Sequence, residues 1–281
     1  MNAAAIEQRR REIVARFGPW TAHNIRLADE VYTMAPGIAG DEVKLRRILQ
    51  SVADLAAQPL AGLRVLDLAC LEGLYAVEFA RHGARVVGVE GRAVNLAKAS
   101  FAKEVLELGN LELRQDDVRN LSRERYGSFD VVLCLGILYH LDAPDLFAFL
   151  ERTAEVCQRF AVIDTHVSLV AEETRVHRGL EYRGQSYVEH APHATAEEKA
   201  SRLWASLDNS TSFWLTRASL YNALLHSGFT SVLECQLPPE PAKPEDRVTL
   251  VAMKGRRHEL TSAPLADALP LEVPEDPKGS V

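Results

Sequence analysis

Three carboxylates and one glycine in the first half of the chain have the types and spacing to do chemistry together. Asp67 ends the apolar run LRVLDLA and opens the turn Leu68-Ala69-Cys70-Leu71-Glu72-Gly73, and Glu90 ends ARVVGVE 23 residues later. Asp117 follows LELRQ, and Gly136 follows FDVVLCL. In open α/β sheets ligands bind beyond the carboxyl ends of the strands, so groups at four successive run ends belong to one rim. There Glu90 can accept both hydroxyls of a ribose, because a two-oxygen acceptor matches a vicinal diol. Asp117 can accept from an exocyclic adenine amine with the Val118 amide beside it, and Gly136 lets a ligand reach the backbone. A helix opening after Gly73 turns its first amides toward the same place. A nicotinamide dinucleotide would require G-x-G-x-x-G after the first strand. The chain has D-L-A-C-L-E-G, which keeps only Gly73 and puts an acid where a phosphate would be repelled. A ligand with a cationic amino-acid tail fits better.

The elements that must position these residues follow from the pattern around them. Apolar runs at 63–69, 84–90, 111–115, 129–135 and 160–166 alternate with helical periodicity at Leu74–His82, Arg92–Leu108 and Pro144–Arg159. Short runs buried on both faces, separated by amphipathic helices, predict a Rossmann-like, doubly wound, mostly parallel α/β sheet. Thr216–Ser227 reads as a helix closed by Gly228. TSVLECQL and RVTLVAMK, joined by PPEPAKPED with no helix between, read as a terminal antiparallel hairpin. The first sixty residues read as helical without a strand signal. One helix there starts at Gly40 and Asp41 and buries Leu45, Ile48, Leu49, Val52, Leu55 and Ala56, and before it GPWTAHNIRLADEVYTMAPG reads as a lid. The expected organisation is a helical lid over 1–60, a main domain over 61–254 with an insertion at about 167–212 covering the sheet edge, and a flexible tail over 255–281.

Bulk properties narrow the partners. The 281 residues are 47% hydrophobic and 25% charged, which excludes a disordered or fibrous chain. A net charge of −7 gives no global attraction for phosphate backbones, so nucleic acid is disfavoured. The four cysteines form no CxxC pair and three lie in apolar runs, as free thiols in a reducing compartment do. With no apolar stretch of about 18 residues and no secretory pattern, a cytoplasmic protein without a membrane segment is expected.

Taken jointly, VLDLACLEG, VVGVEGR, RQDDVRNL and FDVVLCLGILYHLDAP resemble the class I S-adenosylmethionine-dependent methyltransferases, over residues 62–165 and less closely over 213–254. The resemblance implies a seven-stranded sheet with an antiparallel last strand and S-adenosyl-L-methionine as cofactor. It implies cofactor contacts at Asp67, Ala69, Gly73, Glu90, Gly91, Arg92, Asp117, Val118, Leu135 and Gly136, with Tyr139 near the methionine part and Trp20 reaching in from the lid. Ala69 and Leu71 depart from the family's usual glycines. ILYH and NSTSFWLTRASLYNALLHSGF look like the group containing tRNA wobble-uridine carboxymethyl-transferring enzymes, a likeness of cofactor geometry rather than of substrate.

Methyl transfer from a sulfonium asks the protein to align a nucleophile, exclude water and take up a proton. An alcohol acceptor needs a base, and His140, just past the fourth strand, is the first candidate, with His166 the second. His177, Glu181, Glu189, His190 and His193 show no helical metal-ligand spacing, so no metal is inferred. Trp20, Tyr182, Tyr187, Trp204, Phe213 and Trp214 are candidates for an aromatic wall that favours a sulfonium by cation-π attraction. The expected activity is O-methylation of a small polar molecule, as in secondary or sugar-type metabolism. The alternatives are tRNA wobble-uridine modification and a non-catalytic cofactor-binding adapter.

Overall fold

The structure is a computed structural model that describes residues 1–37, 41–240 and 243–275. Its elements are α1 (Ala3–Phe17), β1 (Arg26–Ala28), β2 (Val31–Tyr32), α2 (Asp41–Ala56), β3 (Arg64–Leu68), α3 (Leu74–Arg81), β4 (Arg85–Glu90), α4 (Ala93–Val105) and β5 (Leu111–Gln115). There follow α5 (Arg123–Tyr126), β6 (Phe129–Leu135), α6 (Asp145–Val156), β7 (Cys157–His166), β8 (Glu173–His177), β9 (Leu180–Val188) and α7 (Ala196–Ser201). The chain closes with β10 (Thr211–Leu215), α8 (Arg217–His226), β11 (Ser231–Glu234) and β12 (Arg247–Met253). One sheet has seven strands in the order β11-β12-β7-β6-β3-β4-β5. The expected fold class is therefore present, and the five apolar runs are its strands to within three residues.

The chain divides into two compact units. The first takes Met1–Leu121, Phe129–Leu135 and Cys235–Lys243. In it β3 pairs in parallel with both β4 and β6, and β4 with β5. Val65, Leu66, Leu68, Val131, Val132 and Leu133 are fully buried, which is why these strands read as unbroken apolar runs. Gly88 leaves room in β4 for its neighbours, since a Cβ there would lie 2.8 Å from Leu113 Cδ2 and 3.1 Å from Cys70 Sγ and would force those side chains to shift. At the other edge of this unit Arg47 of α2, 1% exposed, donates to the Pro238 carbonyl at 3.0 and 2.6 Å. α2 begins at Asp41; Gly40, expected at its start, lies outside the described residues.

The absence of strands from the first sixty residues is corrected by the structure. β1 and β2 form a short antiparallel ladder within the segment expected as a lid. Its geometry comes from one side chain: Thr33 Oγ1 accepts from the Ile25 amide at 2.7 Å and donates to the His23 carbonyl at 2.7 Å. A hairpin of three and two residues has no alternation to read, so the pattern could not show it.

The second unit takes Ser122–Ser128, Gly136–Glu234 and the chain from Pro244 onward. β12 pairs antiparallel with β7 on one side and β11 on the other, which is the expected hairpin with its strands in swapped order. The segment expected as an insertion builds a second antiparallel sheet, β10-β9-β8. Beyond Lys254, Glu275 accepts from the Thr216 hydroxyl at 2.7 Å and Val273 exchanges hydrogen bonds with Asn222 of α8.

Candidate active site

In the first unit the ends of β3 and β4 bring Asp67 and Glu90 to one rim. Glu90 is 4% exposed and its carboxylate accepts from the Leu71 amide at 3.0 Å, the Arg92 amide at 2.7 Å and Asn95 Nδ2 at 3.4 Å. Burial raises its pKa against those hydrogen bonds. Asp67 is 1% exposed, and among the described residues neither its Oδ2 nor the buried Asn95 Oδ1 beside Glu90 has a hydrogen-bond partner. Burial pushes the Asp67 pKa up to about 8; the Ala76 amide of α3 opposes this and Glu90 adds to it. Two buried acids whose hydrogen bonds come from amides, one of them with an orphaned oxygen, are the acceptor set to which a diol-bearing cationic ligand would donate.

The turn between them is shaped by left-handed residues at alternate positions, Ala69 at φ 54°, Leu71 at φ 49° and Gly73 at φ 89°. The glycine-type loop shape is thus kept without its glycines, at roughly 1–2 kcal/mol for each of the two substituted residues. Gly73 itself is fixed by packing, because a Cβ there would meet the Ala99 Cβ at 2.9 Å. Leu135 ends β6 one residue beyond the Leu68–Cys134 pairing, level with this turn, and Gly91 and Arg92 are half-buried in the turn after Glu90.

Asp117 arrives beside this rim, with the Asp116 amide on the Glu90 carbonyl at 3.2 Å, but its carboxylate already has a partner. Arg119 donates to it from its amide at 2.8 Å, from Nε at 3.1 and 3.0 Å and from Nη2 at 2.6 Å. The expected adenine-amine contact must share this carboxylate with a guanidinium, and Val118 is buried. Trp20 is also not on the rim: it is 4% exposed and packs on Phe101 of α4, ring centroids 5.8 Å apart.

Glu72 corrects the argument from phosphate repulsion. Its side chain is fully buried and pairs with Lys98, also fully buried, at 3.0 Å. It also accepts from three successive amides, Thr21 at 2.8 Å, Ala22 at 3.2 Å and His23 at 3.1 Å. Its charge is spent on the N-terminal segment and is not offered to a ligand. His23 in turn accepts from the Leu74 amide through Nδ1 at 3.1 Å, so the first amide of α3 is capped from within the chain instead of facing a ligand. Burial lowers the His23 pKa to about 4.

In the second unit Gly136, at φ 98°, donates its amide to the Asp164 carbonyl at 2.9 Å. The Arg247 guanidinium holds Asp164, fully buried, at 2.5 Å and also reaches His166 Nε2 at 3.3 Å. His166 has its other nitrogen 3.1 Å from Asp246 and lies stacked on Trp214, ring centroids 4.9 Å apart. Burial and then Arg247 lower its pKa. Both ring nitrogens of His166 thus have protein neighbours, Arg247 at Nε2 and Asp246 at Nδ1. Tyr139 packs against both His140 and His166, at 4.3 and 4.8 Å between centroids, and its pKa is raised by burial.

His140 is different. Its Nδ1 lies 2.9 and 3.0 Å from the two oxygens of Glu189, which is 2% exposed. A carboxylate only accepts, so Nδ1 carries the proton and Nε2 is left as the basic nitrogen. Among the described residues Nε2 has no protein partner. Of the candidate aromatics, Tyr182 and Phe213 are core, 2% and 1% exposed, whereas Tyr187 is exposed and stacks on Trp214 at 4.6 Å. Among the described residues no three His, Cys, Asp or Glu side chains are grouped to hold a metal; His177 pairs with Glu151 and His190 with the Ser206 carbonyl. The sequence placed Glu189 only in that metal group, and its true partner is 49 residues away.

Residues 65–159 match the family described as a methyltransferase domain. With the sheet order above, the chain has the fold of the class I S-adenosylmethionine-dependent methyltransferases. Within that class the N-terminal domain of EvdMO1, solved with S-adenosylhomocysteine bound, is 25% identical with a TM-score of 0.70, covering 91% of this chain and 98% of that one. The same domain has been solved in the presence of S-adenosylhomocysteine and D-fucose. A ubiquinone biosynthesis O-methyltransferase from Acinetobacter baylyi is 36% identical over 91 residues, 32% of this chain and 38% of that protein. Its namesake from Nitrobacter winogradskyi is 38% identical over 96 residues, 34% of each. The chain thus matches little more than a third of the length of these curated relatives. None of these named proteins is a tRNA enzyme. No helix among the described residues is long and apolar enough to cross a membrane.

Proposed function

We propose that the chain transfers a methyl group from S-adenosyl-L-methionine to a hydroxyl oxygen of a small, sugar-like molecule. The observation that carries this reading is the Asp67–Glu90 rim: two buried carboxylates at adjacent parallel strand ends, raised in pKa by burial and, among the described residues, one with an unpartnered oxygen. The end-to-end likeness to the EvdMO1 domain supports the cofactor and the sugar class.

When bound, the cofactor supplies a methyl group already activated on sulfur. Asp67 would hold its ammonium group, and Glu90 its ribose hydroxyls, keeping the amide bonds from Leu71 and Arg92. Ala69, Gly73, Gly91, Arg92, Val118 and Leu135 would line the remainder. The N-terminal segment pinned by Glu72 would cover the rim and exclude water. His140 Nε2 would accept the hydroxyl proton as the oxygen–methyl bond forms and the sulfur–methyl bond breaks. Burial on an aromatic floor of Tyr139, His166 and Trp214 suits the apolar face of a sugar ring.

Wild-type protein is expected to gain melting temperature with S-adenosylmethionine, and Asp67→Asn and Glu90→Ala to lose that gain. Mass spectrometry of a monosaccharide panel should then show gain of one methyl unit. No thermal response at millimolar cofactor would overturn the reading.

A further inference from the structure

The pairing of His140 with Glu189 is built at some expense. Glu189 follows β9 in the segment beyond β7, and burial by itself would raise its pKa. His140, the Ser206 amide at 2.9 Å and the Ser212 hydroxyl at 2.8 Å more than reverse this, and the pKa is lowered. The same segment grips the backbone around His140. Asn209 Nδ2 donates to the His140 carbonyl at 3.0 Å, Trp214 Nε1 to the Tyr139 carbonyl at 2.9 Å and the Phe213 amide to the Leu141 carbonyl at 3.0 Å. A buried carboxylate is a costly way to satisfy one imidazole N–H, which a backbone carbonyl or a side-chain amide would satisfy without charge. The charge becomes favourable when the imidazole takes up a second proton.

We propose that Glu189 is the positioning residue of His140: it fixes the Nδ1–H tautomer, aims Nε2 at the acceptor hydroxyl and stabilises the imidazolium formed as the methyl group is transferred. This rests on His140 acting as the base in the function proposed above. The proton moves from the acceptor oxygen to His140 Nε2, and Glu189 remains ionised throughout. Ser212 and the Ser206 amide hold the carboxylate in turn, so the segment beyond β7 contributes to the reaction through a base it does not itself carry.

Histidine-selective nitrogen-15 NMR of the whole protein above neutral pH should give His140 a protonated Nδ1 and a bare Nε2, and Glu189→Ala should lose that preference. With S-adenosylmethionine and D-fucose-type hexoses as probe acceptors, Glu189→Gln should lower kcat by about 10²-fold while cofactor Kd stays within about twofold. Ser212→Ala should give a smaller loss in the same direction and guards against a variant that fails to fold. In a His140→Gln background Glu189→Gln should cost nothing more, since residues acting as a unit are not additive. An Nε2–H tautomer in the wild type, a Glu189→Gln variant as fast as wild type, or full additivity with His140→Gln would overturn the role of Glu189. A wild type that binds cofactor yet methylates no acceptor would instead sink the base reading on which it rests.

Discussion

Asp67 and Glu72 lie five residues apart in one turn, both almost completely buried, and they meet opposite fates. Glu72 is surrounded by Lys98 and three backbone amides. Asp67 has an oxygen with no partner and a pKa near 8. Burial of an acid therefore does not by itself mark a ligand site. What separates the structural carboxylate from the one proposed to bind cofactor is whether the protein has already supplied its counter-charge.

Breaking the satisfied side should have the largest effect. Lys98→Met would leave Glu72 buried without its cation, and roughly 3–5 kcal/mol of stability should be lost in urea unfolding. A loss below 1 kcal/mol would mean that the three amides suffice. Next comes the pH dependence of the same latch. His23 is neutral in the fold, with a pKa near 4 against an ordinary 6.5, so the unfolded chain binds the extra proton between those values. Its contribution is complete above about pH 6.5 and is lost as pH falls toward 4, on the order of 3 kcal/mol in all. His23→Gln should flatten that part of the stability profile.

The unsatisfied side should respond with the opposite sign. The Asp67 pKa is raised, so its burial penalty is absent below about pH 3.8 and grows as pH rises to 8. Asp67→Asn should therefore stabilise the cofactor-free protein at pH 8, by roughly 1–3 kcal/mol, while abolishing the cofactor's thermal shift. The smallest expected change lies in the turn that joins the two acids. Leu71→Gly relieves a left-handed leucine and should stabilise the chain by about 1 kcal/mol, provided the loop does not loosen.

How much of this was legible in the sequence follows the range of the interactions. The central strands of the large sheet were readable because both of their faces are buried, and Asp67 and Glu90 because strand ends are fixed by the same runs. Glu72 was misread as a charge facing the ligand, since its partners Lys98 and Thr21 are 26 and 51 residues away and no local pattern points to them. His140 was legible as a candidate base, but Glu189 was not legible as its partner, because a ladder between β9 and β10 has to form before Glu189, Ser206 and Ser212 meet. Asp117 stood at the expected position, yet Arg119, two residues on, takes its carboxylate, a competition that spacing does not reveal.

One consequence concerns synthesis. β12 leaves the ribosome well after β7, and it lies between β7 and β11, hydrogen-bonded to both. Until it emerges, β7 offers Phe160, Val162 and Ile163 along an open edge to any neighbouring chain. A polypeptide stopped just before Arg247 would thus be sticky rather than merely inactive, and the interval between synthesis of β7 and of β12 is when this protein most needs a chaperone.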